Sequence, residues 1–115
     1  MLNTGSQVYL AVGATDLRKS IDGLSVIVQE HFQLDPFSKS LFVFCNRKKD
    51  KVKVLVWDHD GFWLHYKRLE KGRFHWPEGS RGAMAVDPRQ FRWLLDGLAL
   101  HQPQARRAVK ERTIL

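Results

Sequence analysis

The feature that most constrains the fold of this chain is a change of hydrophobic period close to Leu41. Upstream of it, apolar residues recur at helical spacing, which predicts an amphipathic helix over residues 17–32. The stripe consists of Leu17, Ile21, Leu24, Val28 and Phe32. Downstream, short apolar runs alternate with polar turns, a pattern typical of strands. A chain of 115 residues that contains both periods is expected to fold as one α+β domain.

The strand half predicts an antiparallel β-meander, because its polar connections are short and carry glycine. We expect strands at residues 41–45, 51–57, 62–69 and 74–76, with shorter ones at 8–12 and 83–86. Thr15 or Asp16 is expected to cap the first helix, and Asp87-Pro88 to open a second helix that ends near residue 98. The predicted fold is therefore an antiparallel meander with two helices packed on the sheet.

The predicted domain covers residues 1–100, and a basic tail over residues 101–115 follows it. This tail lacks hydrophobic periodicity, and its cations are Arg106, Arg107, Lys110 and Arg112.

Charge points to an anionic partner. Nineteen Lys and Arg oppose twelve Asp and Glu, a formal net charge of +7, which favours nucleic acid before an acidic protein surface or a membrane. Residues 47–73 hold nine basic and four acidic side chains, so +5 of the net charge lies in the hairpin region. The nine candidate contacts are Arg47, Lys48, Lys49, Lys51, Lys53, Lys67, Arg68, Lys71 and Arg73.

An even-numbered loop at residues 58–61 would give the hairpin two distinct faces. One face carries Lys51, Lys53, Leu55 and Trp57 beside Phe62, Leu64, Tyr66 and Arg68. The other carries Val52, Val54 and Val56 beside Trp63, His65, Lys67 and Leu69, and it is the better surface for packing a helix. On the mixed face, Trp57, Phe62 and Tyr66 suit three roles: core, a platform on which bases stack, or a protein interface rimmed by cations.

The sequence offers no catalytic constellation, so we expect neither enzyme activity nor a metal or other cofactor. Five histidines lack partners at ligand spacing, and the single Cys45 lies in an apolar run typical of a reduced core residue. The polar N-terminus and the absence of a long apolar run predict a cytoplasmic protein without a membrane partner.

Three segments of the sequence together resemble one family. They are residues 13–24 (GATDLRKSIDGL), residues 35–37 and 41–44 (DPF and LFVF), and residues 53–64 with 66–74 (KVLVWDHDGFWL and YKRLEKGRF). These segments are similar to the TnpB-type accessory proteins of the bacterial insertion-sequence family sixty-six, the product of the second reading frame of those elements. The resemblance covers about residues 8–98, and Cys45 departs from it by replacing a common arginine.

The resemblance implies a role in transposition beside a much larger transposase that carries the catalytic carboxylates. Combined with the charge, it predicts a non-catalytic accessory protein that binds DNA through its basic β-hairpins. The expected partners are DNA, the transposase and another element-encoded protein, and a homo-oligomer is left open. The alternative is a protein-binding adaptor that contacts the transposase without touching DNA.

Overall fold

The computed structural model describes residues 6–79, 82–97 and 100, and a five-stranded sheet forms its centre. In chain order the strands are β1 (Val8–Ala11), β2 (Leu41–Cys45), β3 (Lys51–Asp58), β4 (Gly61–Arg68) and β5 (Ala83–Val86). Helix α1 (Ile21–Val26) continues as a π-helical turn, Ile27–His31, and helix α2 is Pro88–Leu95. Neither helix in this part of the chain is long and apolar enough to cross a membrane.

The α+β class is confirmed, but the purely antiparallel meander is wrong because the sheet is mixed. Its strands lie in the order β4-β3-β2-β1-β5. Strands β2, β3 and β4 pair antiparallel, as predicted, whereas β1 pairs with β2 in parallel and with β5 antiparallel. The parallel pair follows from the connection after β1: it contains α1, and a helical crossover returns the chain in its original direction.

The first helix begins later than predicted. Residue Ile21, not Leu17, opens α1, and Ser20 occupies the N-cap position without a side-chain hydrogen bond. Neither Thr15 nor Asp16 caps this helix, because the Asp16 carboxylate instead accepts from the Arg18 backbone N–H at 3.0 Å. The local turn over residues 16–19 thus replaces the predicted first helical turn, while Leu17 still packs against the α1 side of the core.

The start of the second helix is confirmed in atomic detail. The Asp87 carboxylate accepts from the Gln90 backbone N–H at 2.7 Å, and the Gln90 side chain accepts from the Asp87 N–H at 3.1 Å. This reciprocal pair, followed by Pro88, satisfies two amides at the start of α2. The predicted end near residue 98 is wrong: α2 ends at Leu95, and the Gly97 N–H donates to the Leu94 carbonyl at 3.0 Å in the turn that follows. The predicted basic tail over residues 101–115 lies outside the described residues.

Residues 74–76 do not form the predicted strand. Phe74 and Trp76 are buried and His75 is exposed, so the segment keeps the period of two that suggested a strand. Its hydrogen bonds go elsewhere: the Phe74 N–H donates to the Lys49 carbonyl at 2.7 Å, and Trp76 Nε1 donates to the Ala11 carbonyl at 2.8 Å. The alternation therefore reflects burial of every second side chain and not pairing with a neighbouring strand.

The sheet is covered on both faces, and the two sides have separate cores. On one side, Phe91 and Leu94 of α2 pack with Val43, Val52 and Val54, which confirms the valine face as a helix-packing surface. On the other side, the α1 region covers the central strands with an apolar cluster. Its fully buried members include Leu24, Val28, Phe42, Phe44 and Leu55.

Candidate nucleic-acid interface

The hairpin of β3 and β4 has the predicted alternation of its side chains. Lys51 pairs with Arg68, Lys53 with Tyr66, Leu55 with Leu64 and Trp57 with Phe62. Asp58 pairs with Gly61, so His59 and Asp60 form a two-residue loop, with His59 at a φ of 59°. The mixed face is therefore present on the hairpin. Its two ends differ in the chain segments that lie against them.

An open groove of about 810 Å³ lies at the end of the hairpin remote from this loop. One wall is the segment 14–18, the other is the turn 46–48 between β2 and β3, and the floor is formed by Lys51, Lys53 and Tyr66. We call this site the basic groove. Five of its lining side chains are cationic and one is acidic, a net charge of +4; the cations are Arg18, Arg47, Lys48, Lys51 and Lys53.

Asn46 organises the turn that presents Arg47 and Lys48. Its side-chain oxygen accepts from the backbone N–H groups of Asp50 at 3.1 Å and Lys51 at 3.0 Å. Its amide nitrogen donates to the Asp50 carboxylate at 2.7 Å, and this bond is the main reason why the pKa of Asp50 is lowered. One half-buried amide thus fixes the loop from which two cations project.

The opposite wall is tied to the sheet by two sets of hydrogen bonds. The Thr15 N–H donates to the Cys45 carbonyl at 2.8 Å, which holds the segment against the end of β2. Lys53 Nζ donates to the carbonyls of Leu17 at 2.6 Å and Lys19 at 3.0 Å. Lys53 therefore has a structural task in this wall, which distinguishes it from the other cations of the groove.

Asp16 and Arg18 form an ion pair on that wall. The Arg18 guanidinium donates to both carboxylate oxygens of Asp16, with contacts of 2.8, 3.0 and 3.2 Å. The side-chain hydrogen bond from Arg18 holds the pKa of Asp16 well below its usual range. The Arg18 side chain is nevertheless 91% exposed, so its outer surface remains open to an anion.

The nine predicted basic contacts do not form one patch. Arg47, Lys48, Lys51 and Lys53 line the basic groove, and Arg68 pairs across the ladder with Lys51. Arg68 also donates to Glu70 at 2.8 Å. The remaining four lie away from the groove: Lys49 pairs with Glu78, Lys67 Nζ donates to the Leu95 carbonyl at 3.0 Å, and Lys71 and Arg73 are exposed in the segment after β4.

Sequence reasoning missed Arg18, which was assigned to the start of the first helix. The available signal was the set of polar residues in the run TDLRKS, which follows a strand that ends in glycine and includes Leu17, the first residue of the apolar stripe. The parallel pairing of β1 with β2 places this run next to the turn 46–48, and no local sequence pattern indicates that pairing.

The three aromatic residues of the mixed face also separate. Trp57 and Phe62 pack edge to face with ring centroids 5.0 Å apart, and Phe37 lies 5.1 and 5.6 Å from them. Tyr66 stands apart on the groove floor with 55% exposure, beyond the Leu55–Leu64 pair. We call Phe37, Trp57 and Phe62 the aromatic cluster; they and Tyr66 do not form a continuous platform.

Other reactive groups contribute little to this site. Burial raises the pKa of the Cys45 thiol to about 12, so it remains protonated at neutral pH. Over residues 6–79, 82–97 and 100, no group of three or more His, Cys, Asp or Glu is placed to hold a metal ion.

Comparison with known proteins gives consistent results. The model of a family described as IS66 Orf2 like protein matches residues 6–105. The uncharacterized protein y4hO of Sinorhizobium fredii is 41% identical over 106 residues, which cover 90% of this chain and 92% of that protein. A second protein of the same strain, the uncharacterized protein y4jC, is 32% identical over 94 residues, covering 82% and 80% respectively. No solved structure matches this chain significantly.

Proposed function

This chain belongs to the IS66 Orf2-like family, and we propose that it is an accessory protein of insertion-sequence transposition that binds DNA through the basic groove. The observation that carries the proposal is the meeting of three separate elements in one groove with a net charge of +4. The cations of the groove repel one another, so an anionic ligand that binds between them lowers this electrostatic repulsion.

The cations of the groove suit phosphates in particular. Arg47 and Lys48 are exposed on a turn that Asn46 holds in place, and Arg18 is exposed on the facing wall. Arginine donates to phosphate oxygens in a bidentate manner, and lysine acts as a mobile point charge. Contacts of this kind position a nucleic acid without reading its sequence.

The proposed role is non-catalytic and located in the cytoplasm, within an assembly whose transposase supplies the catalytic carboxylates. The acid in the groove supports this part of the proposal. Asp16 is engaged by Arg18 rather than by a second carboxylate, so it serves as a structural anion and not as half of a metal-binding or acid–base pair.

The test is a titration of element-end DNA and unrelated duplex between about 50 and 200 mM salt. If Arg18, Arg47, Lys48, Lys51 and Arg68 each neutralise one phosphate, log K should fall against log salt with a slope of about −4.5, at about −0.9 per phosphate. A variant in which Arg47, Lys48, Lys51 and Arg68 are changed to Gln should retain a slope of only about −1.

The control variant removes the same charge elsewhere. Lys39, Lys71, Arg73 and Arg89 are exposed and do not line the basic groove, so their replacement by Gln should leave most of the slope unchanged. Equal losses in the two variants would contradict a localised site. A wild-type protein that binds no DNA even at low salt would overturn the proposed DNA binding.

The aromatic cluster supports a second candidate function, an adaptor that holds the transposase or the other element-encoded protein. Phe37 is 55% exposed although it contacts two other rings, and exposed aromatic groups of this kind are common anchors at protein interfaces. Phe37→Ala should then abolish co-purification with the transposase, while Val26→Ala, at a site 46% exposed on α1, should not. The adaptor is favoured over DNA binding if wild type co-purifies but shows no DNA affinity.

A further inference from the structure

We propose that the basic groove accepts an unpaired nucleotide of single-stranded DNA, with the base stacked on the ring of Tyr66. This inference rests on the proposed function and names the form of DNA that the same site selects. Tyr66 differs from the other rings of the mixed face in its surroundings.

Tyr66 is an exposed ring on the floor of a charged groove. It is 55% exposed, and in the described part of the chain it takes part in no aromatic pair, whereas Trp57 and Phe62 pack on each other and on Phe37. Side chains of a strand stand roughly perpendicular to the sheet, so a ring at this position offers a face or an edge to the groove. An aromatic surface of this kind suits the stacking of a base.

The surrounding cations lie at distances that suit the phosphates on either side of a stacked base. Lys53 is directly opposite Tyr66, and Arg68 is two residues further on the same strand and face. These placements correspond to Cβ separations of about 5 Å across the ladder and about 7 Å along the strand. Since Lys53 is held by the wall carbonyls, Lys51 and Arg68 are the cations proposed to contact the flanking phosphates. Arg68 would exchange its exposed partner Glu70 for a phosphate.

The size and shape of the groove favour a single strand. A volume of about 810 Å³ falls within the range of small-ligand pockets, roughly 300–1,000 Å³, and has room for one or two nucleotides. In a duplex, neighbouring pairs cover both faces of each base, so only an unpaired or extruded base can meet the Tyr66 ring. A duplex would contact the rim cations alone.

The experiment compares oligothymidylate with a duplex of equal length in wild-type protein and three variants. Tyr66→Ala should weaken single-strand binding about 5- to 150-fold and leave duplex binding and the salt slope unchanged. Tyr66→Phe keeps the ring and should bind like wild type. Trp63→Ala is the matched control, because Trp63 is 58% exposed on the opposite face of the same strand, and it should also bind like wild type.

A photo-crosslink in wild-type protein removes any dependence on the folding of a variant. A single strand that carries 5-bromouracil should form its adduct on the peptide containing Tyr66. Adducts confined to other residues, or single-strand affinity unchanged in a folded Tyr66→Ala variant, would overturn this inference while salt-dependent duplex binding persists. Loss of all DNA binding in wild type would instead overturn the proposed function.

Discussion

The two ends of the β3–β4 hairpin share strands and a face, yet they differ in what satisfies their side chains. At the loop end, Trp57 and Phe62 contact each other and Phe37. At the groove end, Lys51, Tyr66 and Arg68 lie beside two loops that bring further cations. The loop end thus packs its two strand aromatics against each other and Phe37, whereas the groove end concentrates charge and an exposed ring. We therefore expect DNA binding at the groove end, where exposed cations surround an exposed ring.

The largest effect should come from removing the residue that shapes the groove end. Asn46→Ala deletes the three hydrogen bonds that Asn46 makes with Asp50 and Lys51, and it leaves both backbone amides without this acceptor. The free energy of unfolding should therefore fall by about 2–3 kcal/mol. Urea denaturation measures this change. Asn46→Asp retains an acceptor but adds a carboxylate beside Asp50, and we expect a smaller loss. An Asn46→Ala variant within about 0.5 kcal/mol of wild type would show that the turn is held by other contacts.

A smaller difference should separate the rings at the two ends. Trp57→Ala removes a half-buried ring from the aromatic cluster and should cost about 2 kcal/mol of stability, below the value for a fully buried site. Tyr66→Ala removes an exposed ring and should cost less than about 1 kcal/mol. Urea denaturation with unchanged m-values measures both changes. Equal losses of stability in the two variants would contradict the proposed difference between the two ends.

The smallest expected effect is an acid dependence confined to the groove end. Hydrogen bonds from Asn46 and Arg18 lower the pKa of Asp50 and of Asp16. A depressed pKa means that the stabilisation is fully present above the ordinary value of 3.8 and is lost as the pH falls through the lowered folded-state pKa. These two acids should therefore leave stability constant between pH 7 and about 5 and reduce it only in strong acid.

The check is thermal unfolding in strong acid and at pH about 5, compared with the variants. Asn46→Ala should remove the contribution of Asp50 to the acid dependence, and Asp16→Asn that of Asp16. A slope that is the same in wild type and in both variants would assign the acid sensitivity to other carboxylates.

The sequence predicted the local elements better than their assembly. Strands β2, β3, β4 and β5, the hairpin faces and the Asp87-Pro88 helix start follow from short-range patterns, namely alternation, turn residues and capping. The parallel pairing of β1 with β2 depends on contacts across more than thirty residues of chain, which no local pattern encodes. That pairing brings Arg18 close to the turn 46–48, so the groove could not be predicted from local sequence patterns.

Burial produced the other errors. Phe74 and Trp76 alternate with His75 as strand residues do, but they fill the core beside α2. The Phe74 N–H bonds to the Lys49 carbonyl in a turn, and the Trp76 ring nitrogen bonds to the Ala11 carbonyl. Likewise, the basic residues looked equivalent in sequence, whereas four of them are engaged with a carboxylate or with backbone carbonyls: Lys49, Lys53, Lys67 and Arg68. The pattern predicts which face a residue occupies, and only the structure shows which of its donors are already used.

The most direct test of the account is an NMR titration that follows the backbone amides while DNA is added in low salt. DNA binding through the basic groove predicts that chemical-shift changes concentrate at residues 14–18, 46–51 and 66–68, with little change at residues 57–62. Changes centred on residues 57–62 and Phe37, with the groove residues unaffected, would contradict the central claim and place the contact on the aromatic cluster.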